Sequence, residues 1–338
     1  MTSISIKEKA LTHTRILIDK VFYHSKAHKV VIVYDKNSTL SNLLYQAYQE
    51  NLPEAICMDF DACEASEILA TFGTLDALDM VILIQSKNFR LDAFRIRVEL
   101  FKRKIKVLEH PHLGRMAEDE VEIYVDALAY DEYYIKEVGK ALKSKLDKAE
   151  GAVINSGGEK LFFPVGFEPT KLNIGDYAPM PNVGGQFPIG EVFTESKALR
   201  AVHGKVKLFA FADLSYKINK PLEPITLIIE EGKVIQTQNA TPAFEEMLAV
   251  IKEGEGVVWV RELGFGLNRG MSKTKIIRDV GSYERMCGVH LSLGAKHGMY
   301  AKEGFKRGDG KFHIDVFVDT LSVHVDQECI FKDEAWVV

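Results

Sequence analysis

The chain is poor in the features that assign most proteins to a class. Its 338 residues hold only four cysteines, Cys57, Cys63, Cys287 and Cys329, none in CxxC spacing, so reduced thiols in a cytoplasmic protein are expected. Of these only Cys287 falls near candidate chemistry, and it is expected as a small buried hydrophobe. No uninterrupted apolar stretch approaches the ~18 residues that cross a bilayer. The opening segment MTSISIKEKALTHTRILIDKVF is charged throughout and lacks the apolar core of a signal peptide. Neither GxGxxG nor GxxxxGK[ST] follows any strand-like run, which disfavours a dinucleotide enzyme. Basic residues are not concentrated: the net charge is −5, and the one run, KRKIK at 102–106, reads as a solvated helix end leading into a strand. Neither a nucleic-acid nor a membrane partner is expected. No internal repeat is evident.

What is present is an ordinary globular composition, 46% hydrophobic and 27% charged, at a length that suits two domains. Residues 1–150 alternate between helical spacing and β-branched runs. Helices are expected near 8–24, 39–47, 63–71 and 90–103, and strands at VVIVY 30–34, 55–60, MVILI 80–84 and 105–109. That alternation implies βαβ units, hence an α/β N-terminal domain with a mainly parallel sheet and flanking helices. A helix over 131–148 closes it.

From 151 to 338 the pattern shifts to short strands and turns, the signature of a mixed α+β C-terminal domain. A hairpin is expected about Ser156-Gly157-Gly158, and 173–190, with four Gly and three Pro, reads as a structured loop. Strands follow at 191–194, 205–212, 225–230 and 233–238. Thr241-Pro242 offers an N-cap with Pro at N1 for a helix over 241–252. Further strands are expected at 257–263, 288–293, 312–318 and 321–325.

The chemistry concentrates in this second half. In FHIDVFVD, strand alternation puts Phe312, Ile314, Val316 and Val318 on the core face and His313 with Asp315 together on the other. An imidazole nitrogen beside a carboxylate oxygen is a common pair of metal ligands; a solvated polar strand face is the plain alternative. In VHLSLG, His290 and Ser292 oppose Val289, Leu291 and Leu293. Four of the ten histidines, His290, His297, His313 and His324, lie within 35 residues, and His324 reads as structural. VVWVRELGFG places Glu262 on the face of Val258 and Val260, where a carboxylate needs a cation or a salt bridge, with Arg261 or Arg269 as partner. Gly264 and Gly266 would allow close approach at a site rim. Glu191 follows the Gly/Pro-rich loop, well placed to aim into a cleft, whereas Glu195 and His203 read as surface residues.

In order, residues 188–193 (PIGEVF), 262–268 (ELGFGLN), 290–294 (HLSLG) and 313–315 (HID) resemble the motifs of the leucyl aminopeptidases of the aminopeptidase T type. The resemblance covers most of 150–328 and, more loosely, the first half, which is shorter than is typical of the family. It implies a two-metal cluster with Glu191, Glu262, His290, His313 and Asp315 as ligands, Glu262 bridging, and Glu284 as general base. At the spacing of a family tyrosine in the metal shell this chain has His297, itself able to ligate, with Tyr300 three residues on. The implied protein is a homodimeric hydrolase using metal-activated water on the N-terminal bond of a small peptide, with two divalent ions per chain, Zn, Co or Mn. The ring-cleaving dihydroxypyridine dioxygenases are similar in fold. They imply a single Fe(II), held by His290 or His297 with His313 and Asp315, acting on a hydroxylated N-heterocycle. A metal-binding homologue without turnover is the third reading.

Overall fold

In a computed structural model, the structure describes residues 4–91, 93–177, 180, 183–300, 302, 305 and 310–338. The chain divides into two compact units: Met1–Glu132 with Gly175–Ile189, and Tyr133–Ile174 with Gly190–Val338. The division thus falls near 132 rather than at the expected 150, and 175–189 returns to the first unit. Packing explains the shift of the Glu132–Leu146 helix. At Gly139 it lies against Ile174 and Leu267 of the second unit, so closely that an added Cβ would meet both side chains.

The first unit is a five-stranded parallel sheet in the order Ile56–Asp59, Val30–Tyr34, Met80–Ile84, Lys106–His110, Gly184–Gln186. VVIVY and MVILI are buried at all five positions, as continuous apolar strands covered on both faces must be. Val31, Val33, Val81, Leu83 and Val107 pack with Ile68, Phe72 and Leu100, so the helices Ala65–Gly73 and Ile96–Lys102 share one core with this sheet. Ser38 is the N-cap of the helix Thr39–Asn51, in a reciprocal pair with Ser41.

Three expectations change here. The first helix runs as α only over Ile6–Ile16 and then widens into a π turn, Leu17–Val21, which brings Leu17, Ile18 and Val21 inside together. The helix expected from 90 begins only at Ile96. The loop over 173–190 contains a strand, because Gly184 approaches Val107 so closely that any Cβ would strike the Val107 carbonyl. Residues 178, 179, 181 and 182 of that loop lie outside those described.

The second unit is built on a 14-stranded antiparallel sheet among the described residues. Its main path runs Ala335–Trp336, Glu328–Lys332, Thr320–Val325, Ala152–Ser156, Glu159–Phe163, His203–Ala212, Ile314–Val318, Gly288–Leu293, Val260–Gly266, Glu191–Glu195, Lys171–Asn173. The strands Ile218–Asn219, Ile225–Glu230 and Lys233–Gln238 branch from His203–Ala212. The expected hairpin turns at Gly157 and Gly158, both at positive φ. The four strands that carry the candidate ligands are consecutive neighbours in this order, although they span residues 191 to 318 in sequence. No helix among the described residues is long and apolar enough to cross a membrane.

The helix Pro242–Glu255 starts as expected, with the Thr241 hydroxyl accepting from the Phe244 N–H at 3.3 Å and Pro242 at N1, and it buries Phe244, Met247 and Ile251. Removing that cap, Thr241→Ala, is expected to destabilise the protein by about 1 kcal/mol, with Thr241→Ser close to wild type. Urea unfolding checks this; equal midpoints for Ala and wild type would show the cap idle.

Candidate metal centre

Glu191 opens one strand, Glu262 lies in the next, His290 in the third and Asp315 in the fourth, with His313 immediately before it. Cross-strand register does the assembly. Gly266 is opposite Glu191, Gly264 opposite His290, and Ser292 opposite Asp315. The expected alternation across 257–263 is corrected. The strand runs Val260–Gly266, and a bulge between Val260 and Leu263 breaks the pairing with the His290 strand. There the Glu262 N–H donates to the Ser292 hydroxyl at 3.0 Å instead of to backbone. A bulge re-aims the side chains it carries, and Glu262 is turned towards His290. Gly264 and Gly266 lie inside this strand rather than on a rim. A Cβ on Gly264 would overlap the His290 imidazole, and one on Gly266 would strike the Met286 carbonyl.

Two groups of potential ligands result: Glu191, Glu262 and His290, and Glu262, His313 and Asp315, the chosen atoms of each lying within 4.8 Å of one another. Glu262 belongs to both. His290 Nε2 is 3.3 Å from Glu191 and 3.5 Å from Glu262, and His313 Nε2 is 3.3 Å from Asp315. His313 Nδ1 lies 3.0 Å from the Lys296 carbonyl, which can only accept, so Nδ1 carries a proton and Nε2 is the nitrogen left to face Asp315. His290 Nε2 and Asp315 Oδ1 are buried without a hydrogen bond. Orphaned polar atoms that converge on carboxylates are what a bound cation would satisfy, and a set of three carboxylates and two imidazoles fits a divalent ion of the Zn, Co or Mn kind.

The electrostatics agree. Burial raises the Glu262 carboxyl, but the adjacent His290 and His297 imidazoles and the charge of His313 outweigh it and hold Glu262 well below the usual range. Burial lowers His290, yet Glu191 and Glu262 overcome that and lift it to about 10. His313, pulled down by burial, is raised by Asp315 and Glu262, and His297, likewise buried, is raised by Glu195 and Glu262.

Other expected residues fall differently. His297 is in neither group; its Nε2 sits 2.5 Å from Glu262 Oε2. Glu284 is also outside both, paired with Arg285, whose Nε lies 3.8 Å from Glu191. Glu195 is corrected from surface to core: it has no exposed surface and takes both Nε and Nη2 of the buried Arg261. Arg261 is therefore the partner of Glu195 and not of Glu262, and Arg269 lies over the Tyr134 ring instead. The signal for Glu195 was available, since residues 191, 193 and 195 share one strand face. His203 is exposed, and His324 stands on a strand outside both groups. All four cysteines are free, and burial pushes the Cys287 thiol up to about 11.

The chain thus combines a parallel-sheet unit with an antiparallel-sheet unit that bears an acidic and imidazole cluster. The structure of wild-type AmpT from Thermus thermophilus matches it with a TM-score of 0.60, over 99% of this chain and 100% of that one, at 12% identity. At that identity the likeness is one of fold. No family model and no curated protein matches the sequence.

Two outcomes follow. Gly264→Ala forces the His290 ring aside, and overpacking of this kind costs about 1–3 kcal/mol; calorimetry should show the loss, and metal uptake should fall with it. Second, raised imidazoles are protonated in the metal-free protein at neutral pH, and an ion requires them neutral. Metal binding should therefore release protons, and affinity should climb with pH until it passes the raised imidazoles at about 9 to about 10, by up to about one decade per unit for each proton displaced. Titration calorimetry in buffers of different ionisation enthalpy measures the release; none at pH 7 would contradict the raised imidazoles.

Proposed function

We propose that the chain is a metal-dependent hydrolase of the aminopeptidase type, acting on the N-terminal bond of a small peptide. The observation that carries this reading is the sharing of Glu262 between two ligand groups, the arrangement a bridging carboxylate needs. Glu191 and His290 would hold one ion, His313 and Asp315 the other, with Glu262 common to both. Bound there, two divalent ions supply Lewis acidity towards a carbonyl oxygen and lower the pKa of water. The remaining chemistry falls to the chain's own groups. Glu284, partly exposed beside Arg285, would accept the water proton and return it to the departing amine. The four-strand platform buries Glu191, Glu262, His290 and Asp315 and leaves His313 partly exposed; burial strengthens each electrostatic contact. The resemblance in motif order and the AmpT-like fold support the same class.

Metal analysis with aminoacyl anilide hydrolysis tests this. Wild type should carry two ions per chain and cleave the anilide. Glu262→Ala should lose at least one ion and cut activity by more than the roughly 10- to 100-fold typical of outer-shell losses, while His290→Ala and Asp315→Ala should each lose one. A single iron, with oxygen uptake on a hydroxylated N-heterocycle, would replace the hydrolase with the dioxygenase; metal without either activity would leave a binding protein.

A further inference from the structure

A row of alternating charge runs behind the ligand groups, and the ligand assignment makes no use of it. His297 Nε2 contacts Glu262 Oε2 at 2.5 Å, and its Nδ1 lies 3.5 Å from Glu195 Oε2. Glu195 receives Arg261 through Nε and, at 3.1 Å, through Nη2, while Arg261 Nη1 donates to the Ala295 carbonyl at 2.7 Å. All of these side chains are buried: Arg261 keeps 1%, Glu195 0% and His297 3% of its side-chain surface. The imidazole is also fixed in plane. It stacks on His313 at 5.9 Å and 11° and on Tyr300 at 5.2 Å, with Phe193 edge-on at 6.4 Å.

Desolvating so many charges is costly unless each is satisfied in good geometry. Here each group faces an opposite charge, His297 Nδ1 across 3.5 Å from Glu195 without a hydrogen bond, and the row ends on one oxygen of the carboxylate that both ligand groups share. Oε1 of Glu262 faces His290, and Oε2 faces His297. Two contacts, one on each oxygen, fix the plane of a carboxylate that one contact would leave free to rotate. An imidazole suits this place because it carries a polar nitrogen at each end of the ring and so reaches Glu262 and Glu195 together.

We propose that His297, backed by Glu195 and Arg261, is a positioning residue that sets the orientation of Glu262 and is not itself a metal ligand. This rests on the reading of Glu262 as a shared ligand. Outer partners of this kind typically contribute about 10- to 100-fold to metal affinity without altering the ligand count.

The test is cobalt loading of the full chain, read as ions bound per chain, dissociation constant and visible Co(II) spectrum. His297→Ala should bind as many ions as wild type, with unshifted bands, at roughly 10- to 100-fold weaker affinity. His297→Gln, which keeps a donor, should recover part of that loss. Glu195→Gln should weaken binding too, although Glu195 belongs to neither ligand group. His290→Ala is the ligand control and should lose an ion and shift the bands. If His297→Ala instead loses an ion and shifts the spectrum like His290→Ala, His297 is a ligand and the proposal falls while the metal reading stands. Unchanged affinity in both His297→Ala and Glu195→Gln would also overturn it. Should the alanine variant fail to fold by circular dichroism, the near-isosteric Gln variants at 297 and 195 decide between the same outcomes. A wild type that takes up no cobalt brings down the metal reading and the proposal together.

Discussion

The second unit depends on the burial of four carboxylates, Glu191, Glu195, Glu262 and Asp315, within four adjacent strands. Each ionised group taken out of water costs several kcal/mol unless a cation meets it in good geometry. Like charges packed this closely also repel, so the surrounding structure is explained by where the compensating positive charge comes from. Glu195 is neutralised by Arg261, and Arg285 stands beside Glu191. The remaining negative charge faces imidazoles, and the carboxylates Glu191 and Glu262 push His290 upward against its burial. A divalent ion answers the same demand with more charge in less space, so protons and metal are alternative occupants of one electrostatic well.

Backbone irregularities follow from this constraint. A regular antiparallel strand through 260–266 would alternate its side chains without interruption. The bulge beside Val260 changes the phase, with the Ser292 hydroxyl taking up the amide that the ladder no longer pairs. Gly264 then has to be glycine for a reason unrelated to flexibility: its missing Cβ is the space that the His290 ring fills. A substitution there acts on the centre through shape alone, with no change in the ligand set.

Much of this was legible in the sequence. Alternation marks the strand Gly288–Leu293, the expected strands at 225–230 and 233–238 match Ile225–Glu230 and Lys233–Gln238, and continuous apolar runs mark Val30–Tyr34 and Met80–Ile84. His290, His313, Asp315, Glu191 and Glu262 do come together, because residues carried on neighbouring strands need only the right register to meet. What could not be read are features without a periodic signature. A bulge is a break in alternation and leaves no mark in residue types, so the register shift between Val260 and Leu263 has no signal in the sequence. The partner of the helix Glu132–Leu146 was invisible as well, since an amphipathic stripe announces that it will be buried but not by which sheet. Glu195 was misjudged by treating a charge as solvated by default, when its place two residues beyond Phe193 already aligned it with Glu191.

The candidate ligands lie on strands spread across residues 191 to 318, or, for His313, immediately before one, and all of them belong to the second unit. The parallel sheet of the first unit supplies none, so the fold-level likeness, which spans both units, cannot by itself carry the chemistry. Within the second unit the ligands join segments separated by long stretches of chain, and the unfolded chain offers no such convergence. An ion that binds only the folded form stabilises it by about 2.7 kcal/mol when its concentration is a hundred times its dissociation constant. That gain comes at the point where the native fold is otherwise most burdened by repulsion between buried carboxylates. Metal binding at this site would therefore be coupled to the fold: the sheet register that gathers the carboxylates is costly without positive charge, and an ion that relieved it would hold the same four strands in register.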